Sequence, residues 1–269
     1  MLDWFTALVL GIVEGLTEFL PVSSTGHLIL AGGLLGYTGP EAIAVEIVIQ
    51  GAAILAVCWE YRRLLLNTAT GLTRDPAAQR FFINIVLGFL PLATLGFLFK
   101  DVIEQYLFKP VPVAIALVVG GVLILLVDRR EGTATLREVQ DVSPATAFKL
   151  GLFQSFALFP GTSRSGATII GGVFMGLSRK LATEYSFFLA IPTLLAATAY
   201  KLITEWDLFT AETLPMLLLS SVAAFITALL AVRGFIRYIA NHSFAAFAWY
   251  RIVFGTIVLA TSYAGLIRW

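Results

Sequence analysis

Five stretches of this chain, residues 81–99, 111–127, 185–200, 213–232 and 252–267, contain no Asp, Glu, Lys, Arg or His. Each approaches the roughly 20 residues that carry a helix across about 30 Å of hydrocarbon. That layer holds no water to satisfy backbone N–H and C=O groups, so the stretches are expected to be transmembrane helices. Composition agrees: 58% of residues are hydrophobic, 13% are charged and the mean hydropathy is +0.88, against about 45–50% apolar and 25% charged in soluble domains. The N-terminal apolar run lacks a basic leader and carries Asp3, Glu14 and Glu18, so it is expected to be mature structure rather than a signal peptide. The single cysteine, Cys58, excludes an intrachain disulfide and reads as a small buried hydrophobe. No basic stripe interleaved with aromatics points to nucleic acid as a partner.

The chain repeats itself at an offset of about 140 residues. Gly11-Ile-Val-Glu14 through Phe19-Leu-Pro21-Val-Ser-Ser24-Thr-Gly26 returns as Gly151-Leu-Phe-Gln154 through Phe159-Pro160-Gly-Thr-Ser163-Arg-Ser-Gly166. Two halves, about 1–130 and 145–269, are therefore expected within a single membrane domain, joined by the polar linker 128–143. Beside each signature lie apolar runs too short to span, 28–35 and 150–159, which read as half-helices of re-entrant hairpins. Short interrupted segments at matching places in two repeats point to a site at the membrane midplane.

The expected fold is an all-α integral membrane protein. Each half carries one re-entrant hairpin and about three spanning helices, roughly 41–61, 80–99 and 111–128, then 181–201, 213–233 and 244–267. An odd number of crossings inverts the second half. In this arrangement twelve cations, including Arg62, Arg130 and Lys180, fall on one side and four, Lys100, Lys109, Lys201 and Arg268, on the other. The cation-rich side is expected to be cytoplasmic, with both termini outside. The small-residue face at Gly120-Gly121 suits helix packing within one chain or between two, which leaves a homo-oligomer open.

Ionisable groups at membrane depth cost about 2.5–3.5 kcal/mol on insertion scales and so signal function. Glu14 and Glu18, at i and i+4, share a helical face and need a proton or a cation between them. Oxygen ligands of this kind suit Mg²⁺ or Ca²⁺; the structural alternative pairs them with Arg164 or Arg251. Pro21 is expected to end the half-helix, and Ser23, Ser24 and Thr25 then place hydroxyls and free amides at the next helix start, an anion site. His27 is a candidate general acid or nucleophile. In the second half, residues 160–168 supply Ser163, Ser165, Thr168 and Arg164, whose guanidinium can take a phosphate in two bonds. Gln154 and Leu158 stand where the first half has Glu14 and Glu18, so acidic and phosphate-clamping work are divided between halves. His242 reads as an interfacial surface residue. Glu46 and Glu184 read as helix-start carboxylates and Arg251 receives no role.

The motifs Glu14-Gly-Leu-Thr-Glu18-Phe-Leu-Pro-Val-Ser-Ser-Thr-Gly-His27 and Pro160-Gly-Thr-Ser-Arg-Ser-Gly-Ala-Thr168 resemble those of the undecaprenyl-pyrophosphate phosphatase family, which is also linked to bacitracin resistance. The likeness covers essentially the whole chain. It implies hydrolysis of a polyprenyl pyrophosphate lipid, undecaprenyl pyrophosphate, to undecaprenyl phosphate and inorganic phosphate. That reaction recycles the carrier of cell-wall precursors on the outer face of the bacterial inner membrane and depends on a divalent cation. By the same resemblance Glu14 and Glu18 are the acidic pair, Ser24 or His27 the nucleophile, and Arg164 with Ser163 and Thr168 the pyrophosphate clamp. A metal-bound water remains a third candidate nucleophile. The competing expectation is a transporter or flippase for a lipid phosphate or small anion, since inverted repeats with midplane hairpins also serve alternating access.

Overall fold

Residues 2–107, 109–129 and 134–264 are described in the computed structural model, with the helix path alone given for 100–106. Arg130, Arg268, the Lys100 side chain and the end of the last expected span lie outside the described residues. Those residues form eleven α-helices and no strand. In order they are α1 (Trp4–Thr17), α2 (Ser24–Leu35), α3 (Pro40–Glu60), α4 (Arg62–Gly71), α5 (Pro76–Tyr106), α6 (Pro110–Asp128), α7 (Pro144–Ser155), α8 (Arg164–Phe174), α9 (Arg179–Thr204), α10 (Leu214–Ile239) and α11 (Ala245–Tyr263). Six of these, α3, α5, α6, α9, α10 and α11, are long and apolar enough to cross a membrane. This is a multi-pass membrane protein. The spans cover those expected, but the helix of the second continues from 99 to Tyr106 and that of the fifth from 233 to Ile239. The short α4, which opens with Arg62 and Arg63 and continues through three consecutive leucines, is not among the helices expected from the sequence.

Helix starts follow from local chemistry. Asp3 caps α1 by accepting the Thr6 N–H at 2.8 Å, Ser143 caps α7 through Thr146 N–H, and Pro40 and Pro110 open α3 and α6, where a missing N–H costs nothing. The linker carries a 3₁₀ turn at Val139–Asp141. There the Asp141 carboxylate accepts the backbone N–H groups of Glu138 and Arg137, which hold its pKa below the usual range. Asp128, at the end of α6, ties three elements together: it accepts Arg179 Nε at 2.6 Å and the Phe244 N–H at 3.2 Å.

The core centres on α9, where Tyr185, Phe187, Phe188 and Leu189 are buried, and on the inner face of α3. Leu126, Leu218, Val222, Leu230 and Val253 face outward and exposed, as lipid-facing positions do. The short helices pack across the chain: α1 lies mainly against α10, and α7 mainly against α5. Both contacts are made at a glycine. A Cβ on Gly11 would come within 2.2 Å of the Ser220 carbonyl oxygen, and one on Gly151 within 2.4 Å of the Gly88 carbonyl oxygen. The small face at Gly120 and Gly121 is used within the chain, against Arg251 and Ala248 of α11. We expect Gly11→Val and Gly151→Val each to cost about 1–3 kcal/mol, read as an earlier unfolding midpoint in detergent. Gly234→Val, which meets open space, should change it little.

Candidate active site

The two short-helix pairs are built alike. α1 ends at Thr17, four residues before Pro21, so Pro21 sits inside the turn and does not terminate the helix. Glu18 caps the helix with its N–H on the Glu14 carbonyl at 2.9 Å. The chain turns through 18–22 and Ser23 starts α2. The second half-helix, expected at 150–159, runs instead over Pro144–Ser155 and gives way to a 3₁₀ turn at Phe156–Leu158 before Ser163 starts α8. Ser23 and Ser163, both at φ 71°, are the only non-glycine residues with positive φ among those described. Each hydroxyl oxygen accepts the N–H three residues on, from Gly26 at 3.5 Å and Gly166 at 3.0 Å. Backbone held in this region costs about 1–3 kcal/mol and persists where its surroundings over-determine it.

The two helix starts meet over one carboxylate. Ser24 Oγ donates to Glu18 Oε2 at 2.5 Å, while Arg164 Nε and Nη2 both donate to Glu18 Oε1 at 3.2 Å. Arg164 Nη1 reaches the Ser186 carbonyl of α9 at 2.9 Å. Three of its five N–H groups are thus committed and two remain. Ser24 and Arg164 are the first residues of α2 and α8, so their amides have no acceptor in their own helix. A cavity of about 200 Å³ opens here, lined by Glu18, Ser23, Ser24, Thr25, Ser163 and Arg164, with Gln50 and Thr193 opposite.

Glu14 stands one turn behind, outside that cavity, fully buried, with neither carboxylate oxygen hydrogen-bonded. Two buried carboxylates face one guanidinium, and the surplus negative charge requires a proton or a cation. No group of three or more His, Cys, Asp or Glu suited to a metal occurs among the described residues. The carboxylates at 14 and 18 nonetheless suit a hard divalent ion, one that completes its shell with water and phosphate oxygens.

Other expected site residues stand elsewhere. His27 does not line the cavity: Nδ1 is 2.7 Å from the Ser23 carbonyl, Nε2 is 2.6 Å from the Tyr250 hydroxyl, and the ring stacks on Phe254. Thr168 Oγ1 donates back to the Arg164 carbonyl at 2.8 Å. Ser165 Oγ crosses to the Leu20 carbonyl at 2.7 Å, linking the two breaks. Buried Gln154 contacts the Gly88 carbonyl, and His242 is exposed and stacked on Tyr238. Glu46 and Glu184 lie in the second turn of their helices, not at the start, and Glu184 accepts from the Tyr61 hydroxyl at 3.4 Å. The sequence reading missed Gln50, Thr193 and Tyr250; nothing local distinguishes them from other polar residues on apolar helices.

A family model described as "Bacitracin resistance protein BacA" matches residues 7–257. The chain belongs to the BacA family. It is 57% identical to the undecaprenyl-diphosphatase of Nitrosomonas europaea, over 100% of this chain and 99% of that one. It is 54% identical to that of Nitrosospira multiformis over 100% and 99%, and 56% identical to that of Dechloromonas aromatica over 98% and 96%. In this BacA-family chain the Glu18–Arg164 pair is 6% and 8% exposed at the side chains, so removing one partner strands a buried charge. Glu18→Gln and Arg164→Gln are therefore expected to couple, with the double variant less destabilised than the sum of the singles by about 2 kcal/mol. Denaturation of all four proteins in detergent checks this, and additivity within about 0.5 kcal/mol would contradict the pairing.

Proposed function

We propose that this chain hydrolyses undecaprenyl pyrophosphate to undecaprenyl phosphate and inorganic phosphate. The observation that carries the reading is the Ser24 hydroxyl held on the Glu18 carboxylate, with Arg164 on the same carboxylate and two helix starts facing one cavity. A nucleophile beside its base, oriented by a third group, is the arrangement of activated hydroxyl chemistry. Relatives more than 50% identical across essentially the whole chain are undecaprenyl-diphosphatases, which supports the same substrate.

In the reaction the Ser24 Oγ attacks the terminal phosphorus and its proton passes to Glu18. The Oγ–P bond forms as the bond from that phosphorus to the bridging oxygen breaks, and undecaprenyl phosphate leaves. Water then attacks the phosphoserine, releasing inorganic phosphate and restoring Ser24. The spare N–H groups of Arg164 and the amides of Ser24, Thr25 and Ser165 bear on the equatorial oxygens, where phosphoryl transfer needs charge neutralised. Ser23 and Ser163 hold these amides in place. A divalent cation, Mg²⁺ or Ca²⁺, held by Glu14 and Glu18, supplies further neutralisation of phosphate charge when bound. His27 acts on the backbone, fixing the Ser23 carbonyl.

The substrate's tail has a matching surface. An apolar trench of about 780 Å³ lies between α6 and the second break, lined by Val119, Leu123, Phe156, Phe159, Ile170 and Phe174 among others. Phe159, Pro160 and Thr162 face the trench while Gly161 and Ser163 of the same turn face the polar cavity. The trench suits a polyprenyl chain whose pyrophosphate sits in the cavity.

The same reading carries the finer architecture. Equivalent Ser23 and Ser163 caps, and glycine contacts of α1 on α10 and α7 on α5, support two inverted repeats with re-entrant hairpins. Cation asymmetry supports placement in the bacterial inner membrane, with the termini and the cavity on the outer side. Purified protein in detergent is expected to release phosphate from undecaprenyl pyrophosphate only with Mg²⁺ or Ca²⁺. Ser24→Ala and Glu18→Gln should each lose about 10³-fold in kcat. A wild type that releases none would favour a carrier. Val119→Trp, which narrows the trench, is expected to raise KM for the C55 substrate about tenfold while leaving a short-chain prenyl pyrophosphate unaffected.

A further inference from the structure

Arg251 of α11 is the largest fully buried side chain in the described structure, at 0% exposure. It has no carboxylate partner among the described residues. Its guanidinium donates instead to four backbone carbonyls. Nε reaches Leu117 at 3.2 Å and Nη2 reaches Ala116 at 3.1 Å, both on α6; Nη1 reaches Pro21 at 3.1 Å and Nη2 reaches Gly161 at 3.0 Å. Pro21 and Gly161 are 140 residues apart and occupy the same point in the two breaks, two residues before Ser23 and Ser163. One side chain therefore grips both turns at equivalent atoms, from behind the cavity. α6 is built to admit it, since a Cβ on Gly120 would come within 2.2 Å of Nη2.

A buried cation paired only with carbonyl dipoles is expensive. Packing alone is met more cheaply by an apolar side chain. A planar fork with five donors, however, fixes several acceptors in one geometry, which neither an apolar group nor a lysine does. We propose that Arg251 is a positioning residue for phosphoryl transfer, holding the two breaks in register so that Ser24 and Arg164 meet on Glu18. This rests on the reading of those breaks as the phosphate site. Arg251 touches neither Glu18 nor Ser24; it acts through the Pro21 and Gly161 carbonyls, on which the positive φ of the serines two residues later depends.

The test compares wild type with Arg251→Lys in detergent, reading kcat and KM for undecaprenyl pyrophosphate and, separately, amide hydrogen exchange across 18–27 and 158–168. Arg251→Lys keeps the charge but not the fork. It is expected to speed exchange in both breaks together while the exchange of α3 and α9 is unchanged, and to lower kcat about 100-fold with KM within about threefold. Gly120→Ala, which displaces the guanidinium without removing it, should loosen the same two segments. Exchange that rises in one break only, in neither, or uniformly along the chain would overturn the proposal, as would a KM effect without a kcat effect. The exchange arm stands even if wild type releases no phosphate, so failure of the proposed activity and failure of the register device give different results.

Discussion

Everything in this structure turns on finding partners for the Glu18 side chain in a place without bulk water. A carboxylate at that depth survives only if its oxygens are spoken for, and here one is taken by a guanidinium and the other by a hydroxyl. Neither donor comes from the helix that Glu18 terminates. The second and third parts of the triad stand at the starts of α2 and α8, so the chain must break its helices twice, at the same depth, and bring the breaks face to face. The strained serines, the turn prolines and the buried arginine all follow from that requirement.

Broken helices expose amides and carbonyls that lipid cannot satisfy. The structure divides the two kinds of orphan between opposite sides of the breaks. Carbonyls point rearward, where Arg251 and Ser165 donate to them. Free amides at the helix starts point toward the cavity, where an anion is the natural complement. Burying a cation behind and leaving donors in front offsets part of the negative charge of the two carboxylates beside it. Tyr250 and His27 continue the same pattern at the edge, closing the Ser23 carbonyl from the lipid side.

The spans were legible because hydrophobic run length is dictated by bilayer thickness, and the breaks because Gly, Pro and Ser clusters recur at one offset. The same alignment sets Ser24 opposite Arg164, so their convergence on Glu18 was latent in the sequence. What it did not carry was direction. His27, Thr168 and Ser165 lie within the signature motifs, yet one stacks on α11, one bonds back into its own helix and one braces the opposite turn. Arg251 was the clearest loss. Its four partners are backbone atoms of residues 90 to 230 positions away, and carbonyls leave no signature in side-chain identity. The early ends of α1 and α7 escaped notice for a related reason, since apolar residues continue through the turns.

The cross-packing of α1 on α10 also bears on how the chain can be made. Gly11 leaves the ribosome some two hundred residues ahead of Ser220, against whose carbonyl it packs. At about 5–20 residues per second that interval is on the order of ten seconds or more. Throughout it the first hairpin, with Glu14 and Glu18 on it, lacks α10, the helix against which α1 mainly packs. Biogenesis must shelter an acidic hairpin until the second half arrives, in the insertion machinery or at the membrane surface, and the two halves can mature only together.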